Sequence, residues 1–305
     1  MSVFALSGKL LLQDAVQGVY LGGIFALLAL GVVLIYKSSG VLNFAQGSMA
    51  MFSTFVYFQL DRWWHLPVII SSLLAVAFGG VVGAVAYRVV FRRMRDSGLL
   101  AKVIASLAVA GFLQGAASFV WRNATQARVP QQFPQGGPSV GGVGLGWQQI
   151  GTIFLTLAVG AGIIALVRYT TFGVALRATA QNRTAARLLG VQEDRVAATS
   201  WGIGGALAAL AGVTVIPVTV LTVYSMSGFM VRGFVAAIVG GFVSLPAALL
   251  GGFGLGIVQE SLHASPATSS LSSVVAGLII AGLLLFRVER FFALDQELRA
   301  LEEAA

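Results

Sequence analysis

Ala15 to Tyr36, Leu66 to Tyr87, Val103 to Trp121, Ile150 to Val167 and Thr199 to Val218 are apolar runs close to the length that crosses a bilayer. A spanning helix needs ~20 predominantly apolar residues, because in lipid every backbone N–H and C=O must find its partner inside the segment. The chain therefore has to be an all-α polytopic membrane protein. With 57% hydrophobic and 10% charged residues, two soluble domains are excluded. The absence of cysteine removes disulfides, zinc thiolates and a cysteine nucleophile, and the only two histidines, His65 and His263, are too few for a histidine metal cluster. Ala15 to Tyr36 is too long for a signal-peptide core and no small-residue cleavage site follows it, so it reads as a retained span.

Charge orients these runs. The formal charge of +8 lies in short loops and not along one soluble face, which argues for an excess of Lys and Arg on the cytoplasmic side of a membrane and against nucleic acid. Arg88, Arg92, Arg93, Arg95 and Lys102 place one loop inside; Arg168, Arg177, Arg183, Arg187 and Arg195 place a second one there. Trp63 and Trp64 suit the interfacial aromatic belt, and Arg122 to Trp147, rich in Gly, Pro and Gln, reads as an irregular external loop. Gly204, Ala208 and Gly212 recur every four residues, a spacing that lets a neighbouring helix approach closely. Leu271 to Phe286 is the last span. Residues 287–305 form a cytoplasmic tail, either an amphipathic surface helix or a solvated end. The expected total is eight or nine crossings, with the carboxyl terminus inside and the amino terminus outside.

Two segments break the pattern. Between Ser38 and Ser48, two glycines, Asn43 and Gln46 interrupt membrane sequence, as a broken helix facing a cavity or as a surface loop. Phe229 to His263 is too long for one span and breaks at Ser244-Leu245-Pro246 into an inward and an outward limb. Glycine-interrupted segments in opposite halves of a chain point to a solute path between them.

The long polar break is Thr170 to Arg195, within a loop taken as residues 170–198. Thr184-Ala185-Ala186-Arg187-Leu188-Leu189-Gly190 predicts a short helix ended by a left-handed glycine, then a bend and a second helix. Between spans, that is a compact knob on the water side, suited to a groove in another protein; alternatively its arginines only hold the loop inside, against lipid headgroups. No phosphate-cradling Gly-x4-Gly-Lys-Ser/Thr segment occurs, so any ATP is hydrolysed elsewhere.

Three motifs give the chain a family resemblance from about Val16 to Phe286. They are Gly40-Val41-Leu42-Asn43-Phe44-Ala45-Gln46-Gly47; Leu176-Arg177-Ala178 through Leu188-Leu189-Gly190 with Asp194-Arg195; and Ala236-Ala237-Ile238-Val239-Gly240-Gly241 with Ser244-Leu245-Pro246, Gly251-Gly252 and Glu260. Together they resemble the permeases of branched-chain amino-acid ABC importers, of the LivH type. The resemblance implies a single permease domain over 1–305 in the bacterial inner membrane and a second permease subunit, the same or homologous. It also implies two cytoplasmic ATPases that carry the ATP, and an external solute-binding protein. This chain would hold no cofactor or metal and would not be an enzyme.

In that resemblance Arg177, Gln181, Thr184, Ala185, Ala186, Gly190 and Arg195 belong to the ATPase-coupling surface. Thr184 stands in the Glu place of the ABC permease pattern Glu-Ala-Ala, three residues, Gly, and Gln181 and Asn182 stand where relatives often carry acids, which implies a less ionic contact. Gln46 stands where relatives commonly carry His, which leaves the solute open among branched-chain amino acids, urea, short amides and other small molecules. Asn43, Gln46, Pro246 and Glu260 are the candidates for the path. Glu260, an acid within an apolar run, faces a substrate amine, pairs with Arg232, or sits wetted at the outer end of its limb. The competing class is a self-sufficient carrier or channel for a small polar solute. An intramembrane enzyme ranks last, since Glu260 and Asp96 do not form a catalytic pair.

Overall fold

A computed structural model describes residues 2–122, 129–140 and 143–263. Leu271 to Phe286, the expected last span, and the tail 287–305 lie outside the described residues. Ten α-helices follow in order: α1 (Ser2–Ser39), α2 (Gln46–Arg62), α3 (Val68–Ala86), α4 (Leu99–Val120), α5 (Trp147–Tyr169), α6 (Thr171–Gln181), α7 (Arg183–Leu188), α8 (Glu193–Val215), α9 (Ser227–Val239) and α10 (Leu245–His263). A π-helical turn at Tyr87–Phe91 prolongs α3, and a 3-10 turn at Ile216–Val218 prolongs α8. The loop before Trp147, expected to be poorly regular, holds one short antiparallel pair, Ser139–Val140 with Val143–Gly144.

Among the described residues, six helices are long and apolar enough to cross a membrane, where eight or nine crossings were expected. The difference lies in α2 and α9, which at 17 and 13 residues fall short of those six in length or apolar content, and in Leu271 to Phe286, which lies outside the described residues.

The bundle is built on α1 and α8. In α1, the segment Gln13–Ser39 is buried by its neighbours over most of its length, whereas α3, α4 and α5 bury one narrow face and expose apolar side chains such as Ile69, Leu107 and Phe154. Those outer helices are the lipid-facing ones, since a bilayer needs no polar covering on that side. Helix α8 runs antiparallel to α1: Tyr20 Oη donates to the Thr214 carbonyl at 3.0 Å and Trp201 Nε1 to Ser39 Oγ at 3.1 Å. Its glycines serve different neighbours. A Cβ on Gly204 would meet Ile35 Cδ1 at 2.7 Å, and one on Gly212 would meet the Ala50 carbonyl at 2.8 Å. The predicted close-approach stripe thus holds α1 and α2. Helix α1 also packs backbone to backbone against α10, antiparallel to it, with Gly18 and Gly22 facing Gly252, Gly256 and the backbone of Phe253 and Ile257.

Candidate functional site

The break after α1 is inside the protein. Val41, Asn43 and Ala45 are buried. The chain climbs back along α1, so that Gln46, the first residue of α2, packs against Gly31. Gly31 lies eight residues before the end of α1 at Ser39, about 12 Å at 1.5 Å per residue. Both amides of the break are fully buried and engaged. Asn43 Oδ1 accepts from the Ala45 N–H at 3.0 Å, Asn43 Nδ2 donates to Gln46 Oε1 at 3.1 Å, and Gln46 Nε2 donates to the Gly204 carbonyl at 2.7 Å. They satisfy backbone and each other where the helix ladder is interrupted, which a buried break requires.

A second interruption follows α8. After Val218 the chain is irregular to Met226, and α9 begins deep in the bundle: Phe229 packs on Phe25 with ring centroids 6.1 Å apart, and a Cβ on Gly233 would meet Leu28 Cβ at 2.7 Å. The start of α9 meets the start of α2, where a Cβ on Gly47 would lie 2.8 Å from Met230 Cβ and 3.3 Å from the Met226 carbonyl. Two half-length helices therefore begin at a common point inside the bundle and run apart, α2 parallel to α8 and α9 parallel to α1.

From that point an aromatic file descends to the basic face. Phe44 stacks on Phe234 at 4.6 Å, Phe234 meets Phe242 at 6.5 Å, and Phe242 meets Tyr36 at 5.2 Å. The turn between α9 and α10 spans residues 240–244 and holds Phe242 at φ 54°, a strained conformation for a bulky residue. Lys37 Nζ clamps it by donating to the Val243 carbonyl at 2.8 Å. Below lies a cavity of about 370 Å³, lined among others by Tyr36, Lys37, Phe242, Arg177 and Gln181. Pro246 is not in the turn; it is the second residue of α10, where a missing N–H costs nothing. Glu260 is half-buried far along α10 and within Coulombic reach of Arg232, whose guanidinium also lies 5.8 Å from the Phe25 ring centroid.

The predicted knob is α6 and α7. Thr170 caps α6 through Oγ1, which accepts from the Gly173 N–H at 3.3 Å, and Asn182 caps α7 through Oδ1, which accepts from Ala185 at 2.9 Å. Gly190, at φ +83°, ends α7 in a Schellman motif: its N–H reaches the Arg187 carbonyl at 2.9 Å and that of Val191 the Ala186 carbonyl at 3.0 Å. Arg177 Nη1 bonds the Val167 carbonyl at the end of α5, which ties α6 to a membrane helix. Gln181, Thr184, Ala185 and Gly190 are exposed, Ala186 is buried beneath them, and Leu188 and Leu189 stand 85% and 83% exposed at the tip.

Two acids to which sequence reasoning gave no anchoring role, Glu193 and the motif residue Asp194, hold the basic face together. Glu193, 6% exposed, accepts from Arg187 Nε at 2.6 Å and lies 3.7 Å from Arg183 Nη1. Its neighbour Asp194 accepts from Tyr87 Oη at 3.0 Å, from Arg92 Nε at 3.1 Å and from Arg95. The first acid fastens α7 to α8 and the second fastens the π-turn loop to the same helix start, where the helix dipole also favours negative charge. Their signal in the sequence is a pair of adjacent acids in an otherwise basic loop. Arg195 has no acidic partner within 4.0 Å among the described residues.

Residues 15–284 match the family model described as branched-chain amino acid transport system, permease component. Three curated proteins are similar over nearly their whole length. The high-affinity branched-chain amino acid transport system permease protein LivH of Escherichia coli K12 is 32% identical, covering 90% of this chain and 92% of the relative. LivH of Salmonella typhimurium is 31% identical, with coverages of 90% and 92%. BraD of Pseudomonas aeruginosa, a permease protein of the same description, is 30% identical, with coverages of 90% and 94%.

Proposed function

The chain belongs to the family of branched-chain amino acid transport system permease components, and from that premise we propose that it is the membrane subunit of an ATP-driven importer in the bacterial inner membrane. Its solute is a branched-chain amino acid or a molecule of similar size. A second permease subunit completes the path, two cytoplasmic ATPases bind the knobs, and an external binding protein delivers the solute. ATP acts on the partner subunits, and this chain contributes no catalytic group.

The observation that carries the coupling part is the knob itself: two short capped helices with an apolar tip at Leu188 and Leu189, tied to α5 by Arg177 and to α8 by Glu193. A loop that only held its place on a wet surface would gain nothing from presenting two leucines to water. Burial of a leucine is worth ~1.5–3 kcal/mol, so a groove that accepts the pair is a substantial dock. Thr184, Ala185 and Gln181 extend the contact, Ala186 and Gly190 shape it, and Arg195 borders it.

The path, in this reading, passes the meeting point of α2 and α9. Opposed half-helices offer free backbone N–H groups and positive dipole ends to a solute carboxylate. The Asn43–Gln46–Gly204 bonds and the Phe44–Phe234 stack close it in this conformation, and the cavity between Tyr36 and Arg177 is its outlet. Glu260 and Arg232 mark the other end, and Pro246 fixes the start of the limb that joins the two. The testing experiment is uptake of labelled leucine and urea, in parallel, into proteoliposomes containing the chain with its ATPase and permease partners. ATP-dependent leucine uptake is expected; uptake by the chain alone under an ion gradient would favour a self-sufficient carrier and refute the proposal.

A further inference from the structure

Six arginines gather around the start of α8, and their pairing is uneven. Arg92 and Arg95 are held by Asp194, and Arg183 and Arg187 by Glu193. Arg88 and Arg195 are exposed and have no acid within 4.0 Å among the described residues. Both border the same cavity of about 570 Å³ at the basic face, and both also border a second one of about 530 Å³ that continues between α3 and α8. The two spaces share Arg88 and Arg195 as their common border, and their walls change character there.

On the membrane side of the arginines the walls are Ala84, Ala198, Thr199, Gly202 and Ile203. Small residues keep this crevice open: even a Cβ added at Gly202 would stand 3.4 Å from the Gly80 carbonyl oxygen and 3.7 Å from Ala84 Cβ, ordinary contacts. Val81, Val85 and Val89, at 57%, 50% and 55% exposure, flank it on α3 and its π-turn, which makes it open toward lipid. The π-turn contributes to the geometry. Tyr87 and Phe91 both pack on Trp201, with centroids 6.2 and 4.3 Å away, and Arg88 is left on the outer side of that contact.

We propose that this crevice is a binding site for an anionic phospholipid, with its phosphate against Arg88 and Arg195 and an acyl chain between α3 and α8. A soluble anion would use the arginines and leave the apolar half without a function. An acidic segment of a partner protein would approach from water and likewise would not enter a lipid-facing groove. A phospholipid supplies both halves, in the order in which they are met from the basic end into the bilayer, and basic pockets between membrane helices at this level are suited to anionic headgroups. The site does not depend on which solute the protein carries.

The test is native mass spectrometry of the purified chain in detergent, titrated with phosphatidylglycerol or with phosphatidylcholine of the same acyl composition. Phosphatidylglycerol is expected to bind at lower concentration. Removing both charges in Arg88→Ala/Arg195→Ala should raise its half-saturation about tenfold to thirtyfold, with little change for phosphatidylcholine. Arg88→Lys/Arg195→Lys should restore most of the preference, and Arg122→Ala, at the far end of α4, should leave it intact. Gly202→Leu, which fills the crevice where a Cβ meets only ordinary contacts at 3.4 and 3.7 Å, should weaken both lipids. Equal binding of the two lipids by the unaltered chain, or an Arg88→Ala/Arg195→Ala protein that still prefers phosphatidylglycerol, would overturn the proposal. So would displacement by inorganic phosphate combined with indifference to Gly202→Leu, which would assign the arginines to a soluble anion.

Discussion

Alanine placed at Gly22 should weaken the protein, and the same change at Gly111 should not. At Gly22 the new Cβ would lie 2.8 Å from Phe253 Cα and 2.9 Å from the carbonyl oxygens of Gly252 and Phe253. All three are main-chain atoms of α10, so no side chain can swing away. Carbon atoms prefer about 3.5–4.0 Å, so α1 and α10 must part by roughly 0.7–1.2 Å along the contact. A gap of 0.5–1 Å forfeits about a quarter to a half of each van der Waals contact, and overpacking of this kind costs about 1–3 kcal/mol. Against it stands the intrinsic gain of ~0.8–1.0 kcal/mol from replacing glycine by alanine inside a helix. The expected net loss at Gly22 is about 0–2 kcal/mol, and about 1–3 kcal/mol relative to the same change where nothing is overpacked. At Gly111 in α4, among the described residues nothing beyond the helix's own backbone lies within 4 Å of the added methyl, so only the gain remains. Thermal unfolding in detergent, followed by the fluorescence of the five tryptophans, should give a lower midpoint for Gly22→Ala and an equal or higher one for Gly111→Ala. Equal midpoints for the two variants would refute a stabilising backbone contact between α1 and α10.

Replacing Leu188 and Leu189 by serine should abolish co-purification of the ATPases at least tenfold while leaving the unfolding midpoint unchanged, since both side chains are exposed; retained co-purification would place the dock elsewhere. Glu193→Gln removes the charge that holds Arg187 and Arg183, and should cost about 1.5–3 kcal/mol and lower uptake per ATP more than it lowers ATPase binding; uptake and binding falling in step would refute the anchor. Asn43→Ala and Gln46→Ala each break a buried network, at about 1–3 kcal/mol. Because they share a bond, the double variant should lose less than the sum, and strict additivity in thermal unfolding would count against the network.

The six long spans, the two basic loops that meet at the start of α8 and the short helices of the knob were readable because each rests on a local signal: apolar length, charge, or a capping residue such as Gly190. The first break was readable for the same reason, through Asn43 and Gln46 inside apolar sequence. Depth was not. Nothing in a linear pattern says that Gln46 starts level with Gly31, since that depends on a chain reversal and on the Gly204 carbonyl waiting across the bundle. The break between α9 and α10 was readable as well, next to Ser244-Leu245-Pro246. The irregular stretch from Thr219 to Met226 was not, because it holds no glycine and its one interruption of the helix ladder depends on neighbours across the bundle. Glu193 and Asp194 were given no anchoring role because their partners, Arg187 on one side and Tyr87, Arg92 and Arg95 on the other, come from separate segments. Gly18 and Gly22 gave no sign either, because four-residue glycine spacing is common in membrane helices and only the partner helix shows which pairs touch.

That Glu193 and Asp194 are sequence neighbours has a geometric consequence. Successive residues on an α-helix point about 100° apart, so one turn of α8 holds the knob on one bearing and the π-turn loop on another. Inserting a single residue between them would swing one carboxylate through that angle and leave the other in place. The knob and the loop would then answer to the first turn of α8 out of phase, like two gears on one shaft with a key moved between them.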